Sequence, residues 1–464
     1  MSISRREIIR SAPLLWLQRP GTQPPNLLFL LSDDQRWDTL GAIGNTRIRT
    51  PHLDSLAARG TLFTQHAVTT AICMSSRASI LTGLHTRCHG AVEFNRQYTR
   101  EQLDRSYPVL LRKAGYRTGF IGKWGLDKQP LPAGEFDYWR GFAGQGRYFP
   151  NGEPGPHLTS IMADQAEEFL GSSTPSAPFC LSVSFKAPHV QDDDSRQFLP
   201  DPADEVLYRN VTFPYPKTFD TRYTSALPET VHRSENRRRW AVRFSTPELY
   251  QRSVRNYYAL ITGIDRAAGR MIELLRQRGQ LENTVIVYTS DNGFYLGEHG
   301  LAGKWLMHEE SIRVPMLAAG PGVARGRRVD AMTLNIDIAP TLLDLAGVSA
   351  PESMQGRSLA PWLRGQSPRW RNEWFYEHVF MANGWIAPTD GVRQGRWKYC
   401  RYPQESPVFE ELYDVAADPL EERNLARDAK YSAVLSALRA RREVWNGALN
   451  GWRPDSRWSD PVNG

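Results

Sequence analysis

The chain repeats a pattern in which a short apolar segment ends in polar residues and alternates with helix signals. The segments NLLFLL at residues 26–31, FCLSVSF at 179–185 and TVIVYTS at 284–290 have the length and composition of buried strands. Strands that are apolar along their whole length occur mainly in parallel sheets covered by helices on both faces. The alternation therefore predicts an α/β fold with a mostly parallel sheet.

Helix signals lie between the apolar segments. In TPHLDSLAARG, Thr50 has the position of an N-cap, Pro51 that of the first helical residue, and Gly60 that of the stop. A long helix is predicted from Thr246 to Gly279, because its apolar residues recur three and four positions apart. Both predictions fit helices that pack on a sheet.

Composition divides the chain into parts of unequal size. We predict an export signal or disordered tail at residues 1–24, an α/β catalytic domain at 25–366 and a small C-terminal α+β subdomain at 367–464. The last part is Trp-rich with alternating segments, which predicts a small antiparallel sheet plus a helix. Residues 129–157 and 187–246 break the strand–helix rhythm and are typical of lids or substrate walls.

Carboxylates follow two of the predicted strands. Asp33 and Asp34 come directly after the first apolar segment, and Asp291 and Asn292 come after TVIVYTS. Ligands of such sheets gather beyond the carboxyl ends of the strands, where adjacent side chains can converge. A set made only of oxygen donors favours Ca²⁺ or Mg²⁺ over Zn²⁺. Either pair alone is also compatible with an ordinary turn or helix cap.

The segment AICMSSRASILTG at residues 71–83 places Cys73 directly before a short helical run. The N-terminus of a helix presents free N–H groups and partial positive charge, which stabilise an anion. Arg77, four residues on, would lie on the same helix face. This arrangement suits a nucleophile, although a lone C-x-x-x-R is also compatible with a buried cysteine ahead of an ordinary helix.

Together these segments resemble the formylglycine-dependent sulfatase family of the alkaline phosphatase superfamily, whose signature reads C-x-P-S-R followed by x-x-x-L-T-G. The segments SDNGFYLGEHG, GKWLMHEESIRVP and LNIDIAPTLLDLAG also look like family segments in family order. The resemblance implies an alkaline-phosphatase-like sheet flanked by helices and a bound Ca²⁺ or Mg²⁺ ion. It also implies oxidation of Cys73 to formylglycine by a formylglycine-generating enzyme.

The resemblance implies a role for each matching residue. The implied metal ligands are Asp33, Asp34, Cys73, Asp291 and Asn292. Arg77 would orient the nucleophile, while Lys123 and Lys304 would bind the sulfate. His189 would assist the leaving group together with Lys304. In such a mechanism one hydroxyl of the hydrated aldehyde attacks sulfur, and the second then expels sulfate and regenerates the aldehyde.

Three positions depart from the family pattern. Ser75 stands where the family usually has Pro or Ala, and Gly125 stands where it commonly has a His that helps to release sulfate. His308 stands where the family often has Tyr. We predict that His308 binds substrate, and that either His308 or an imidazole from a lid takes over the role of the missing imidazole.

Charge and cysteine content exclude other classes. The net charge is +7, but the first 20 residues contribute +3 of it through four Arg and one Glu, and no nucleic-acid-binding motif is present. Four cysteines in so long a chain do not form a disulfide scaffold. The pair Arg5–Arg6 before a short apolar stretch resembles a twin-arginine signal, which predicts export to the periplasm or outside the cell. No segment reaches the length of a membrane span.

The sequence thus predicts a sulfatase that hydrolyses a sulfated small molecule or saccharide. The preference for carbohydrate rests on likeness to polysaccharide- and glycosaminoglycan-type sulfatases and on aromatic loops suited to sugar faces. Two alternatives remain open at this stage. One is a phosphomonoester or phosphonate hydrolase of the same superfold, and the other is a sugar- or anion-binding homologue without catalysis.

Overall fold

The computed structural model describes residues 24–92, 98–126, 130–174, 177–379 and 385–450. Apart from residue 24, the predicted signal or tail at residues 1–24 lies outside the described residues.

The strands of the described residues are β1 (Asn26–Asp33), β2 (Thr61–Phe63), β3 (His66–Ala67), β4 (Arg117–Lys123), β5 (Tyr138–Phe142), β6 (Phe179–Pro188), β7 (Thr284–Ser290), β8 (Tyr295–Leu296), β9 (Ala302–Gly303), β10 (Met316–Ala319), β11 (Arg327–Val329), β12 (Thr333–Leu334), β13 (Glu373–His378), β14 (Thr389–Gln394), β15 (Trp397–Tyr402) and β16 (Phe409–Asp414).

The α-helices of the same residues are α1 (Pro51–Arg59), α2 (Cys73–Thr82), α3 (Thr86–His89), α4 (Arg100–Asp104), α5 (Tyr107–Lys113), α6 (Leu158–Gly171), α7 (Pro202–Glu205), α8 (Thr221–Ser225), α9 (Glu229–His232), α10 (Glu235–Arg243), α11 (Pro247–Gln277), α12 (Glu309–Ile312), α13 (Ile338–Leu345), α14 (Ala360–Leu363) and α15 (Ser432–Asn450).

A sheet of eight described strands lies at the centre, in the order β11-β2-β10-β7-β1-β6-β4-β5. Strand β10 runs antiparallel to its neighbours β2 and β7, and the other pairs in the sheet are parallel. The predicted α/β class with a mostly parallel sheet is therefore confirmed.

Alternate residues of β1 enter two hydrophobic cores. Leu28 and Leu30 pack in a core that includes α1, α6 and α11. Leu27 and Phe29 pack in a second core that includes α2, α5 and α13. Because adjacent side chains of a strand point to opposite faces, the sheet lies between two layers of helices. This burial on both faces explains why the segment is apolar at every position.

Helix α11 is the longest helix described, with 31 residues, and it begins where the sequence predicts. The Thr246 side chain caps it by accepting a hydrogen bond from the backbone N–H of Leu249 at 3.3 Å, and Pro247 occupies the first turn. The helix ends at Gln277, two residues before the predicted stop at Gly279, which takes the left-handed conformation with φ of 65°. Its apolar stripe packs in the same core as Leu28.

The C-terminal part forms an antiparallel sheet of four described strands, in the order β13-β14-β15-β16, and helix α15 packs against it. The Trp445 ring of α15 stacks on the Phe375 ring of β13 with centroids 6.4 Å apart. This agrees with the predicted small sheet plus helix. The domain limits at residues 366 and 367 stay a prediction.

The segment at residues 187–246, which lacks apolar periodicity, folds into the short helices α7 to α10. Strand β5 lies in the other irregular segment, residues 129–157, and extends the central sheet at its edge. Among the described residues, no helix combines the length and apolar character needed to cross a membrane.

We expect Leu30→Ala to destabilise the fold by about 2–5 kcal/mol, because it opens a cavity beside a fully buried side chain of the central strand. Val444→Ala on α15 is the control, since Val444 is 43% exposed. Urea unfolding followed by circular dichroism measures both. Equal unfolding midpoints for the two variants would contradict the central place of β1 in the core.

Candidate active site

The strand register brings the predicted acidic residues together. Ser32 of β1 pairs with Ser290 of β7, so the residues that follow both strands emerge side by side. The backbone N–H of Asp34 donates a hydrogen bond to Asp291 Oδ1 at 3.1 Å, and Asn292 Nδ2 donates to Asp34 Oδ1. Asp34 adopts a positive φ of 66°, which turns the chain away from the strand. These strand-end side chains are all almost completely buried.

Three cations surround the strand-end carboxylates. Lys123 Nζ donates to Asp33 Oδ2 at 2.6 Å, and Arg77 Nη2 donates to the same oxygen at 3.1 Å. Arg77 Nε also donates to Asp291 Oδ2 at 2.7 Å, so this guanidinium bridges the ends of β1 and β7. Lys304 Nζ donates to Asp34 Oδ1. The predicted residues in or directly after five elements of the fold thus form one cluster.

The charges of the cluster depend on one another. Burial raises the pKa of Asp33, but Lys123 and its neighbouring cations outweigh burial and lower that pKa well below its usual range. Burial and the Asp33 carboxylate raise the pKa of Asp291 to about 6, against the effect of Arg77. Burial opposes the charged form of Lys304, but the Asp34 carboxylate raises its pKa above the usual value. The cations therefore stabilise the charged form of Asp33, whereas burial outweighs them at Asp291, and a carboxylate in turn stabilises the charge of Lys304.

Cys73 is the first residue of α2 and is 3% exposed. The backbone of Ile72 before it is extended, with φ of −150° and ψ of 134°, so the helix amides beyond it lack partners within the helix. Burial disfavours the charged forms of Arg77, Lys123 and Lys304, and carboxylates counter this. Cys73 adds to the raised pKa of all three cations. Residue 73 therefore lies at a helix N-terminus among cations.

His189 lies just beyond β6, after a cis peptide bond between Ala187 and Pro188. His189 Nδ1 lies 2.7 Å from the carbonyl oxygen of Val190, so we assign the proton to Nδ1. His189 Nε2 lies 3.7 Å from Asp34 Oδ2 and is left to accept a proton or a ligand. Burial lowers the pKa of His189 well below its usual value.

The donor set of the site fits a divalent cation. Among the described residues, Asp33 Oδ1 and Asn292 Oδ1 are buried without a hydrogen-bond partner, which is costly for a polar atom. Asp33, Asp34 and His189 each offer a ligand atom, and these atoms lie within 4.8 Å of one another. Buried oxygen donors that lack partners are what a hard cation such as Ca²⁺ requires.

His308 belongs to a different buried cluster. Its Nδ1 lies 2.7 Å from the Tyr295 hydroxyl, and its ring stacks on that of His299 with centroids 4.6 Å apart. Its Nε2 lies 3.8 Å from Glu411 Oε1, in the C-terminal sheet. Within the described part of the chain, the polar and ring contacts of His308 are with these residues and Tyr413, so its suggested substrate role stays a prediction without support from the cluster around Asp33.

Gly125 has a structural reason to differ from the family pattern. Its φ is +80°, and a Cβ atom built on it would lie 2.4 Å from Arg77 Cδ. A side chain at position 125 therefore requires a different placement of Arg77. Position 125 therefore does not supply the imidazole that the family commonly has there.

Sequence reasoning missed residues that hold the predicted ones in place. Gln145 Oε1 accepts a hydrogen bond from Lys123 Nζ at 2.6 Å, and the Ser184 hydroxyl contacts Arg77 Nη1. Asn236, in α10, donates to the backbone carbonyls of Ala302 and Lys304. Ser184 lies on a predicted strand, but Gln145 and Asn236 lie in the two irregular segments, where no local pattern marks them.

Comparison with known proteins gives the class of this chain. Residues 25–348 match the sulfatase family, and residues 297–446 match the family described as N-sulphoglucosamine sulphohydrolase, C-terminal. The first match spans well over half of the sequence. The chain therefore belongs to the sulfatase family, and the predicted enzyme class, a sulfuric ester hydrolase, is confirmed.

Individual relatives agree with this assignment. The N-acetylglucosamine-6-O-sulfatase of Bacteroides thetaiotaomicron is 30% identical, over 89% of this chain and 85% of the relative. The human N-acetylglucosamine-6-sulfatase is 28% identical, over 88% of this chain and 82% of the relative. The solved structure of BT4656 in complex with its substrate D-glucosamine-2-N,6-O-disulfate superimposes with a TM-score of 0.83 at 28% identity, covering 94% of this chain and 100% of that one.

The phosphonate monoester hydrolase of Agrobacterium radiobacter shares the fold. Its structure superimposes with a TM-score of 0.71 at 23% identity, covering 92% of this chain and 96% of that one. At that identity the likeness concerns the fold alone, and it agrees with the predicted alkaline-phosphatase-like architecture.

We expect Ca²⁺ to raise the unfolding temperature of the metal-free protein. A ligand that binds only the folded state stabilises it by about 2.7 kcal/mol at 100 times its Kd. Asp33→Asn should remove most of this increase, because it takes one carboxylate from the buried oxygen set. Scanning calorimetry after chelation measures the effect.

The control for this experiment is Asp164→Asn. Asp164 carries a carboxylate that is 63% exposed and pairs with Arg270 on the surface. An equal Ca²⁺-dependent increase in Asp33→Asn and Asp164→Asn would contradict a cation site at the end of β1.

Proposed function

We propose that this protein hydrolyses sulfate esters of saccharides with a formylglycine formed from Cys73. The observation that carries the proposal is the placement of residue 73 at a helix N-terminus, where it interacts electrostatically with the three buried cations that contact Asp33, Asp34 and Asp291. An anion with a tetrahedral sulfur requires positive charge on its oxygens and a nucleophile held in line with the leaving group. The cluster offers both within one buried space.

The cation is the part that the chain does not supply. Asp33, Asp34, Asp291 and Asn292 would hold Ca²⁺ together with residue 73, and Mg²⁺ is the alternative ion. When bound, the cation would act as a Lewis acid and the formylglycine would provide a hydrated aldehyde as nucleophile. Orientation of the nucleophile, binding of the sulfate and proton transfer would be carried out by side chains of this protein.

Arg77 fixes the orientation of the nucleophile. It lies one helical turn after residue 73, and its guanidinium is held by Asp33, Asp291 and the carbonyl oxygen of Lys123. A side chain held on three sides keeps its direction at little entropic cost during the reaction. Residue 73 therefore faces a fixed positive charge.

Lys123 and Lys304 bind the sulfate oxygens and neutralise the charge that develops on them. Both ammonium groups are buried, where an ion pair is worth more than in water. Lys304 Nζ also carries a proton for the departing alcohol oxygen, and His189 Nε2 accepts a proton in the same space. The proposed roles of Arg77, Lys123 and Lys304 are those that the family resemblance implies. His189 differs, because with its proton on Nδ1 it would accept a proton at Nε2 rather than donate one to the leaving group.

The substrate class follows from the relatives. Two of the relatives described above are named for N-acetylglucosamine 6-sulfate, and BT4656 was solved with a sulfated glucosamine. We therefore propose a sulfated amino sugar as the substrate. We further propose that the protein is exported, with the Arg5–Arg6 pair as its signal, and that a formylglycine-generating enzyme acts on Cys73 before it functions. The family includes relatives named extracellular sulfatases, which supports export.

The test is coexpression with a formylglycine-generating enzyme, followed by mass spectrometry of the Cys73 peptide and assays on glucosamine 6-sulfate. We expect conversion of Cys73 despite Ser75, and we expect Cys73→Ala to lower kcat by about 10³-fold or more, since the nucleophile is lost. Cys88→Ser is the matched control, because the Cys88 thiol lies outside the cluster and contacts Gln355.

Two outcomes oppose the proposal in different ways. An unmodified thiol with no turnover favours a sugar- or anion-binding homologue. Faster hydrolysis of a phosphonate monoester than of any sulfate ester favours the phosphonate hydrolase alternative.

A further inference from the structure

The segment that carries Lys304 has a strained backbone. Lys304 follows β9 directly, and its side chain is 4% exposed with Nζ on Asp34. The next residue, Trp305, has a φ of +89°, which a residue with a side chain rarely adopts. Such a conformation is unfavourable and persists only where its surroundings hold it.

Two contacts hold Trp305 from its own side. The Tyr376 hydroxyl, from β13, donates to the Trp305 carbonyl oxygen at 2.6 Å. The Arg239 guanidinium, from α10, lies 5.3 Å from the centroid of the Trp305 ring. These contacts hold the carbonyl group and the ring of Trp305. They do not hold the backbone that precedes Trp305.

The backbone that precedes Trp305 is held by Asn236, which lies in the first turn of α10. Its side chain is completely buried, and its Nδ2 donates to the Lys304 carbonyl oxygen at 2.8 Å and to the Ala302 carbonyl oxygen at 3.0 Å. The side-chain amide of Asn236 therefore binds the first and the last residue of the stretch at residues 302–304. Without the Asn236 side chain, each of these two backbone carbonyls would lose a buried hydrogen bond.

We propose that Asn236 is a positioning residue that holds Lys304 on Asp34 and thereby aims its ammonium at the sulfate ester. The inference rests on the proposed function of Lys304. Neither the sequence motifs nor the family match singles out Asn236, which lies in the irregular segment at residues 187–246. A displacement of a catalytic group by about 1 Å can cost about 100-fold in rate, so small backbone shifts at Lys304 matter.

The direct test is a double-mutant cycle on kcat with Asn236→Ala and Lys304→Ala. We expect Asn236→Ala alone to lower kcat by about tenfold. In the Lys304→Ala background the same change should alter kcat by less than about twofold, because the group that Asn236 positions is already gone. Equal effects of Asn236→Ala in both backgrounds would overturn the proposal.

A second readout separates positioning from general damage. A phenolate with strong electron withdrawal, as in 4-nitrophenyl sulfate, leaves without a proton, whereas a sugar alcohol needs one. We therefore expect Asn236→Ala and Lys304→Ala to lower kcat on glucosamine 6-sulfate by about tenfold more than kcat on 4-nitrophenyl sulfate. Equal losses of Asn236→Ala on both substrates would mean that Asn236 only supports the fold.

Asn424→Ala is the matched control. Asn424 donates to the Glu410 carbonyl at 2.9 Å and accepts from the backbone N–H of Leu412 at 3.1 Å, so it makes the same kind of backbone contacts in the C-terminal sheet. We expect it to lower the unfolding temperature without changing the ratio of kcat on the two substrates. If Asn424→Ala changes that ratio as much as Asn236→Ala does, the proposal fails.

The positioning role of Asn236 can still be tested if the wild-type protein, with Cys73 converted to formylglycine, hydrolyses no ester. That result would overturn the proposed function, and the cycle is then measured on the Kd of inorganic sulfate by calorimetry. Non-additive effects of Asn236→Ala and Lys304→Ala on this Kd would support the positioning role, and additive effects would overturn it.

Discussion

Three carboxylates lie side by side in the interior of the protein, and the rest of the site compensates their charge. Buried charges of the same sign repel one another strongly unless cations stand between them. Here the cations come from three separate parts of the fold: Arg77 from α2, Lys123 from the end of β4 and Lys304 from the segment after β9. Removal of Arg77 takes the cation from Asp291, and removal of Lys304 takes the lysine from Asp34, whereas Asp33 is paired with both Lys123 and Arg77. The site and the fold around it therefore depend on the same contacts.

The C-terminal sheet takes part in this arrangement. Tyr376 from β13 contacts the Trp305 carbonyl, and Lys398 Nζ from β15 donates to the Met307 carbonyl at 2.8 Å. The chain that follows Lys304 is thus bound by one sheet while its beginning is bound by α10. The irregular segment at residues 187–246 and the C-terminal sheet therefore both contact the segment that carries Lys304.

The sequence predicts those parts of the site that depend on local rules. Apolar runs that end in Asp33 and Asp291 indicate parallel strands with their carboxyl ends at one edge, and the register of β1 and β7 agrees. Residue 73 is placed at a helix N-terminus by the same reasoning, and α2 begins there. These predictions hold because strand and helix ends are set by neighbouring residues.

Contacts between distant segments escape such reasoning. Asn236 has no periodic apolar neighbours that would place it, yet it touches the carbonyl of Lys304, 68 positions away. The contacts of His308 include Glu411, which follows it by a hundred residues in the sequence. From the sequence alone, Gly125 indicates the loss of a catalytic residue. The structure adds that a Cβ atom at this position would collide with the Arg77 side chain.

A crystal structure of the converted protein grown with Ca²⁺ tests the central claim most directly. The account predicts one cation with oxygen atoms of Asp33, Asp34, Asp291 and Asn292 about 2.3–2.6 Å away, and with residue 73 in contact with it. It also predicts that Lys304 stays within hydrogen-bond distance of the cluster. A cation bound at another place, or a formylglycine at position 73 that makes no contact with the cation, would contradict the account.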